Sequence, residues 1–466
     1  MKKKGIMALL ATFCVVLIIA AACAGPAAAP PTTAPEAPSA PSTPSTPSTP
    51  PAPSTPSAEY PLGKPVVRVG GQDISTGLLA DYGWMMKAGS ELAVEEINDS
   101  GGILGSTVEM KFMDSEWNPE VGLRNSEYMV YDWGADFLYG FSADTVPEAI
   151  IPHLEELDVI LMQCHSADPR LTEELVYEKG YKNYFRLCVP EYQDAILPAL
   201  YFAENRPDIK TYALLDAWEY GRSCGVIFDD VMQRHNPGVE KVAEVEHPYG
   251  HAAFGPELAT LAAAKPDAIF TTAPGGMGIS ALRQAVMMGL FQEDWFKLWF
   301  HCMGGALDVG EAIGQDLAWG SIPEGKLWAT SRYQWNQSDR EANVKFVNAF
   351  YDRFGRYPTY TAATGYTAIM LFKKAVEETG TLDTEQLIAA LEDMEVYDMP
   401  LGMDDEEETG HAPLWIRGSD HQGCYTTPLG MYVYDPDVTH QSGILTNFSD
   451  IPWTEYYRNP PDYANP

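Results

Sequence analysis

Basic residues are scarce in this 466-residue chain: 30 Lys and Arg stand against 65 Asp and Glu, a formal net charge of −35. So anionic a surface repels phosphate backbones and anionic headgroups, which excludes nucleic acid and argues against direct adsorption to lipid. Cysteine is sparse too, seven in all and without a Cys-x-x-Cys spacing, so neither a zinc ribbon nor a thioredoxin-type motif is present. No apolar run exceeds the stretch from Ile6 to Ala22, which falls short of the roughly 20 residues of a comfortable membrane span. Gly-x-Ser-x-Gly, His-Glu-x-x-His and a Walker loop are all absent, which removes the sequence support for a hydrolase elbow, a zincin or a phosphate cradle. No cofactor is expected.

What is there begins with Lys2, Lys3 and Lys4, then the apolar run, then Ala20-Ala21-Ala22-Cys23. A basic segment, an apolar segment and small residues in that order read as a signal peptide over residues 1–22. The cysteine directly after them resembles the lipobox of bacterial lipoproteins, although Ala20 stands where leucine is usual. That resemblance implies lipidation of Cys23 and an extracytoplasmic protein held at the outer face of the cell membrane. The alternative is an uncleaved anchor with Cys23 a small apolar residue. Residues 23–64 form a linker: thirteen prolines lie between Pro26 and Pro61 among Ser, Thr and Ala. Proline fixes φ and removes amide donors, so this stretch favours extended, solvated conformations of about 3.1 Å per residue.

The remaining 400 or so residues suffice for two domains with their own cores. Strand-like runs at 66–70, 107–113, 137–140 and 159–162 alternate with helical patterns at 84–98, 119–130 and 147–154. The series restarts after Pro190, with helices to about 204, at 220–233 and at 279–288 and strands at 211–215, 268–272 and 297–301. Helices dominate 341–394, and short strands follow near Leu414 and Met431. Such alternation predicts an α/β fold of two doubly wound parallel-sheet lobes. Cys164, Cys188, Cys224, Cys302 and Cys424 are scattered through it, and buried free thiols are the expected state for most.

Several segments carry a family resemblance: Thr76-Gly77, Ala80-Asp81-Tyr82-Gly83, Ala93-Val94-Glu95-Glu96-Ile97-Asn98 and Gly101-Gly102-Ile103-Leu104-Gly105. Asp216-Ala217-Trp218-Glu219-Tyr220-Gly221, Phe354-Gly355-Arg356-Tyr357-Pro358, Gly365-Tyr366-Thr367-Ala368 and Asp420-His421-Gln422 complete the set. In that order and spacing, over residues 66–436, the chain resembles the type I periplasmic solute-binding proteins of ABC importers, in the branched-chain amino-acid and amide class. The resemblance implies two lobes joined by three crossings, near 186–190, 326–333 and 399–402. Lobe 1 is then expected over 65–187 and 330–399, and lobe 2 over 188–329 and 400–466. A monomer capturing a branched-chain amino acid, amide or small carboxylate, and meeting a membrane permease, is what the family implies.

The site expected from this resemblance starts at Phe141-Ser142-Ala143-Asp144-Thr145, a strand-to-helix turn where family members hold a ligand carboxylate. Ser142, Ala143 and Thr145 are its candidates, with an N-cap as the alternative role for Ser142. Asp144 is awkward beside an anion unless it points away or caps the helix. His165 and Ser166 follow the next strand. Tyr82 and Tyr220 match aromatic wall positions, with Trp218, Tyr366 and Phe141 as weaker additions. Gly275 lets backbone approach the cleft. Family members that bind amino acids carry an acid where this chain has Ala306; Asp308 is the nearby substitute, or else a helix cap.

Rival chemistry is thin. Pro248 and Gly250 spoil a helical metal pair at His247 and His251, Cys164 and His165 should point to opposite sides of a strand end, and 404–408 is an acidic loop without EF-hand spacing. No metal site is expected. A sensory lipoprotein of the same fold and a lipid-anchored hydrolase remain the alternatives to an importer receptor.

Overall fold

The residues described in the computed structural model are 60–302, 307–403, 409–434, 443–446, 451 and 454, so the signal segment, Cys23, nearly all of the proline-rich linker and the acidic run 404–408 lie outside them. The chain opens with β1 (Val66–Asp73), α1 (Ala80–Asp99), β2 (Thr107–Asp114), α2 (Pro119–Glu127), β3 (Phe137–Gly140), α3 (Thr145–Ile150), α4 (Leu154–Leu157), β4 (Leu161–Gln163), α5 (Arg170–Thr172) and β5 (Tyr184–Arg186). It continues with α6 (Glu191–Asn205), β6 (Thr211–Ala217), α7 (Trp218–His235), β7 (Glu240–His247), α8 (Gly255–Ala264), β8 (Ala268–Thr271), α9 (Gly275–Met287), β9 (Leu298–His301), α10 (Leu307–Ala318) and β10 (Leu327–Thr330). Last come α11 (Glu341–Phe354), α12 (Tyr360–Thr379), α13 (Thr384–Leu391), β11 (Glu395–Val396), β12 (Leu414–Arg417), β13 (Gln422–Cys424), β14 (Leu429–Tyr434) and β15 (Gly443–Thr446).

Two sheets result, one ordered β11-β12-β13-β5-β4-β3-β1-β2 and the other β15-β14-β10-β9-β8-β6-β7. Strands β1 to β5 and β6 to β10 pair in parallel, as right-handed βαβ units require. Central strands are covered on both faces and read as unbroken apolar runs, such as Phe137-Leu138-Tyr139 and Leu298-Trp299-Phe300, all buried. The edge strand β7 instead exposes Glu240, Glu244 and Glu246. Charges on an edge block pairing with another chain. They also hide the strand from a hydrophobicity reading, and neither β7 nor α8 was anticipated.

In the first lobe α1 lies against α12 at unusually close range. A Cβ on Gly365 would sit 2.6 Å from the Met86 carbonyl oxygen, and one on Gly89 would overlap the Ala362 carbonyl oxygen. The glycine of Gly365-Tyr366-Thr367-Ala368 therefore has a packing cause. Helix α1 ends where Gly101 and Gly102 take φ of +100° and +80°. Asn98 then exchanges both amide bonds with Val108, at 3.0 and 2.7 Å, and sets the start of β2.

The chain passes between the sheets at 187–190, at 331–340 and at 425–428. The third passage corrects the expectation of 399–402: β11, β12 and β13 complete the first sheet before the chain leaves it. Asp420-His421-Gln422 fixes that arrangement. Asp420 accepts from Arg417 Nε at 2.8 Å and Nη2 at 2.7 Å, the His421 ring stacks on Phe185 at 4.0 Å, and Gln422 Oε1 accepts from Arg186 Nε at 2.6 Å. The passages are also tied together. Ser331 N–H donates to the Pro428 carbonyl at 3.0 Å, and Gln193 Nε2 on α6 donates to Thr427 Oγ1 at 2.9 Å.

Candidate functional site

A cavity of about 70 Å³ lies where the carboxyl ends of the two sheets face each other. Leu79, Tyr82, Trp117, Ser142, Asp144 and His165 line it from the first lobe, Trp218, Tyr220 and Pro274 from the second, and Arg332 from a crossing. Open α/β sheets bind ligands at this end because their loops and helix starts converge there.

On the first-lobe side a hydrogen-bonded chain starts at Asp73, the last residue of β1. Its carboxylate accepts from Ser142 N–H at 2.8 Å and from Ser142 Oγ–H at 2.7 Å. Phe141, with φ of +73°, turns the backbone so that both donors converge on it. Since Ser142 Oγ donates its proton to Asp73, it accepts from His165 Nδ1–H at 2.6 Å. His165 Nε2 is then left to accept from the Tyr360 hydroxyl, also at 2.6 Å. Desolvation keeps the imidazole neutral, well below its ordinary range, and the nearby Arg332 adds to the effect. The same burial pushes the Asp73 carboxyl up to about 7, against the opposing pull of its Ser142 and Ile74 donors. The Tyr82 ring stands edge-on to His165 at 4.8 Å.

Asp144, in the turn before α3, ties down the next loop. Its Oδ1 accepts from Ala167 N–H and Asp168 N–H, each at 3.1 Å, and from the Ser166 hydroxyl. Across the cleft, Arg332 pairs with Asp194 of α6, Nη2 to Oδ2 at 2.5 Å, with both side chains 2% exposed. Its Nη1 donates to the His165 carbonyl at 2.8 Å, so one guanidinium joins a first-lobe loop to a second-lobe helix. The Tyr220 hydroxyl donates to the same Asp194 carboxylate at 3.2 Å. Burial raises the Asp194 carboxyl, and Arg332 opposes that shift.

The structure thus gathers Tyr82, Ser142, His165, Ser166, Trp218 and Tyr220 around one cavity. Ala143 packs into the first-lobe core instead, Thr145 is exposed at the start of α3, and Gly275 opens α9 with φ of +49° behind Pro274. Tyr366 is not at the cleft: its ring lies 4.8 Å from Phe346 and its hydroxyl donates to Glu96 at 2.8 Å. Tyr360 of the same helix takes the cleft position. The Asp308 backbone belongs to α10, while its side chain and Ala306 lie outside the described residues. The Cys164 thiol faces the carbonyls of Met162 and Thr364, away from the His165 ring, and burial pushes it well up, so the pair is no nucleophile and base. Among the described residues no cluster of three His, Cys, Asp or Glu is placed to hold a metal ion, and no helix is long and apolar enough to cross a membrane. Asp73, Trp117, Asp194, Arg332 and Tyr360 were not singled out from sequence.

Two α/β lobes with three linked crossings and a shared polar and aromatic cavity define the type I periplasmic binding protein class. Residues 66–417 match the model of the periplasmic binding protein family, and the chain belongs to that family. A relative, the Leu/Ile/Val-binding protein homolog 3 of Brucella melitensis, is 26% identical over 344 residues, covering 72% of this chain and 85% of that protein. Among solved structures, a branched-chain amino acid transporter substrate binding protein from Streptococcus pneumoniae in complex with isoleucine is 18% identical with a TM-score of 0.65, over 82% of this chain and 99% of that one. A solute binding protein from Rhodopseudomonas palustris in complex with 4-hydroxybenzoate is 19% identical with a TM-score of 0.68, over 86% and 99%.

Proposed function

We propose that this chain is the solute-binding receptor of an ABC importer, outside the cytoplasm, capturing a small polar solute between its lobes and presenting it to a membrane permease. The cavity walled by side chains of both lobes carries this reading. Solute there adds contacts that exist only when the lobes are together, so it stabilises the closed form by hinge motion at the three passages. The isoleucine and 4-hydroxybenzoate held by the two neighbours support a solute of that size, an amino acid, amide or small carboxylate. The order Asp73, Ser142, His165 supports binding over hydrolysis. A nucleophilic serine gives its proton to a histidine that an acid orients, whereas Ser142 sits between the two and gives its proton to Asp73.

Cys23 anchors the receptor through its lipid, and the proline-rich linker lets a monomeric binding domain sample solute while staying near the permease. Export of a Cys23→Ser chain should release it from the membrane fraction, whereas continued detergent partitioning would point to an uncleaved anchor.

The receptor reading is tested by a thermal-shift panel of amino acids, amides and small acids, followed by small-angle scattering of the best hit. A raised melting temperature with a smaller radius of gyration, and solute recovered unchanged, is the expected result. Turnover of the solute, or saturation without compaction, would count against it.

A further inference from the structure

The guanidinium, the imidazole and the Ser142 donors of the described cleft lining are all engaged within the protein. Both Ser142 donors, the N–H and the hydroxyl, end on the protein's own Asp73 carboxylate. The guanidinium of Arg332 is matched by Asp194 and its Nη1 is spent on the His165 carbonyl. The imidazole of His165 is bonded at both nitrogens. Asp144 is the acid among the described lining, and it differs from these. Burial raises its carboxyl, with the Ser166 donor opposing and Asp168 adding to the shift, so that an ammonium beside it would favour the ionised form. Its three bonds all end on Oδ1, leaving Oδ2 to the cavity that the residue lines. The walls around it are aromatic, from Tyr82, Trp218 and Tyr220. A carboxylate oxygen among aromatic faces is an environment for an ammonium group, through a charge-assisted hydrogen bond and the attraction of ring faces for a cation.

We infer that Asp144 anchors the amine of the solute, so that this receptor takes amine-bearing solutes and rejects acids of the same shape that lack an amine. This rests on the receptor reading above. The anchor comes from the first lobe, at the turn where the family resemblance placed a carboxylate-binding subsite, and it takes over from the second-lobe position where this chain has Ala306. An anion at that turn would face Asp144 and Asp73, while the side-chain donors of Ser142, His165 and Arg332 are already engaged within the protein.

Matched pairs of small solutes test this by isothermal titration: isoamylamine and leucine against isovalerate, and benzylamine against benzoate. Asp144→Asn is the informative variant, because its amide oxygen can keep the bonds from Ala167, Asp168 and Ser166 while the charge is removed; circular dichroism checks the fold. The expected result is that the amines bind at least about tenfold tighter than the acids, the worth of one charge-assisted hydrogen bond, and that D144N erases this preference. An unchanged preference in D144N would overturn the assignment, as would its loss in Asp308→Asn alone, which would place the anchor on the second lobe. Tighter binding of isovalerate or benzoate would also overturn it, while leaving the receptor reading intact. A chain that binds none of these solutes, nor any other amino acid, amide or acid, would sink both.

Discussion

Trp117 of the first lobe and Tyr249 of the second meet with ring centroids 5.4 Å apart, and Tyr249 in turn lies 5.3 Å from Trp218. Glu116 and Trp117 both carry φ of +53°, a conformation that side chains seldom adopt and that holds the indole across the gap. The three rings bridge the lobes at the edge of the cavity.

Removing that bridge should speed solute release more than it slows capture. An aromatic pair is worth about 0.5–1.5 kcal/mol beyond its area, so Trp117→Ala is expected to raise the dissociation rate by up to about tenfold. Stopped-flow fluorescence with the tightest solute reads this directly. An unchanged dissociation rate would mean that the rings touch without holding the lobes.

Arg332→Met leaves Asp194 buried without its partner, and a loss of about 3–5 kcal/mol is expected from the urea unfolding midpoint. Adding Asp194→Leu should recover most of that loss, because the desolvation penalty goes with the charge. The double variant should nonetheless fail to close as the parent does, since the link from α6 to the His165 loop is gone.

The Asp73 carboxyl is raised from 3.8 to about 7, chiefly by desolvation. The folded chain therefore holds this proton more tightly than the unfolded chain, and the associated stability is complete below pH 4 and lost as pH rises through about 7. Asp73→Asn cannot titrate. Melting curves at pH 5 and pH 8 should show the difference between variant and parent moving in the variant's favour at the higher pH; a difference that is constant, or moves the other way, would refute the assignment.

Gly89→Ala places a methyl group against the Ala362 carbonyl oxygen at the crossing of α1 and α12. Overpacking of this kind costs about 1–3 kcal/mol, which thermal unfolding should register as a clear drop in melting temperature. Exposed Gly380, at φ of +69° and with open space around it, should lose stability by backbone strain alone when changed to alanine.

Much of the parallel framework was legible because buried strands and amphipathic helices differ in period. The β3 assignment, 137–140, agrees with the structure to the residue. The misses have local causes. The motif points to Tyr366 and nothing in it points to Tyr360, yet six residues turn a helix by about 240° around its axis, so the two tyrosines leave α12 in different directions. Tyr366 meets the first-lobe core and Tyr360 the cleft. A first strand read as ending at Gly70 leaves out Asp73, although Gly71 only marks where the Tyr139 ring packs against the strand. Arg332 and Asp194 are far apart in the chain and carry no pattern, so only the passage at 331–340 brings them together. Of the expected site, the residues that converge on the cavity all come from strand ends and helix starts, although Ala143, Thr145 and Gly275 share such places without lining it; Tyr366, from a helix interior, lies elsewhere.

The pairing of β5 with β13 has a consequence for biogenesis. Arg186 and Gln422, bonded across that seam, are 236 residues apart in sequence, and the whole of β6 to β10 is threaded between them. Contacts of such separation form late and slowly, whereas β6 to β10 are contiguous and can pair as soon as they are made. Strands β1 to β5 are contiguous as well, so each lobe can begin by itself; the first then waits with the β5 edge open until β13 arrives, and the second with the β10 edge open until β14 does. For a chain threaded across a membrane, that order delays completion until translocation is almost finished, which favours passage unfolded and makes the open β5 and β10 edges the places where a folding chaperone or a protease would compete.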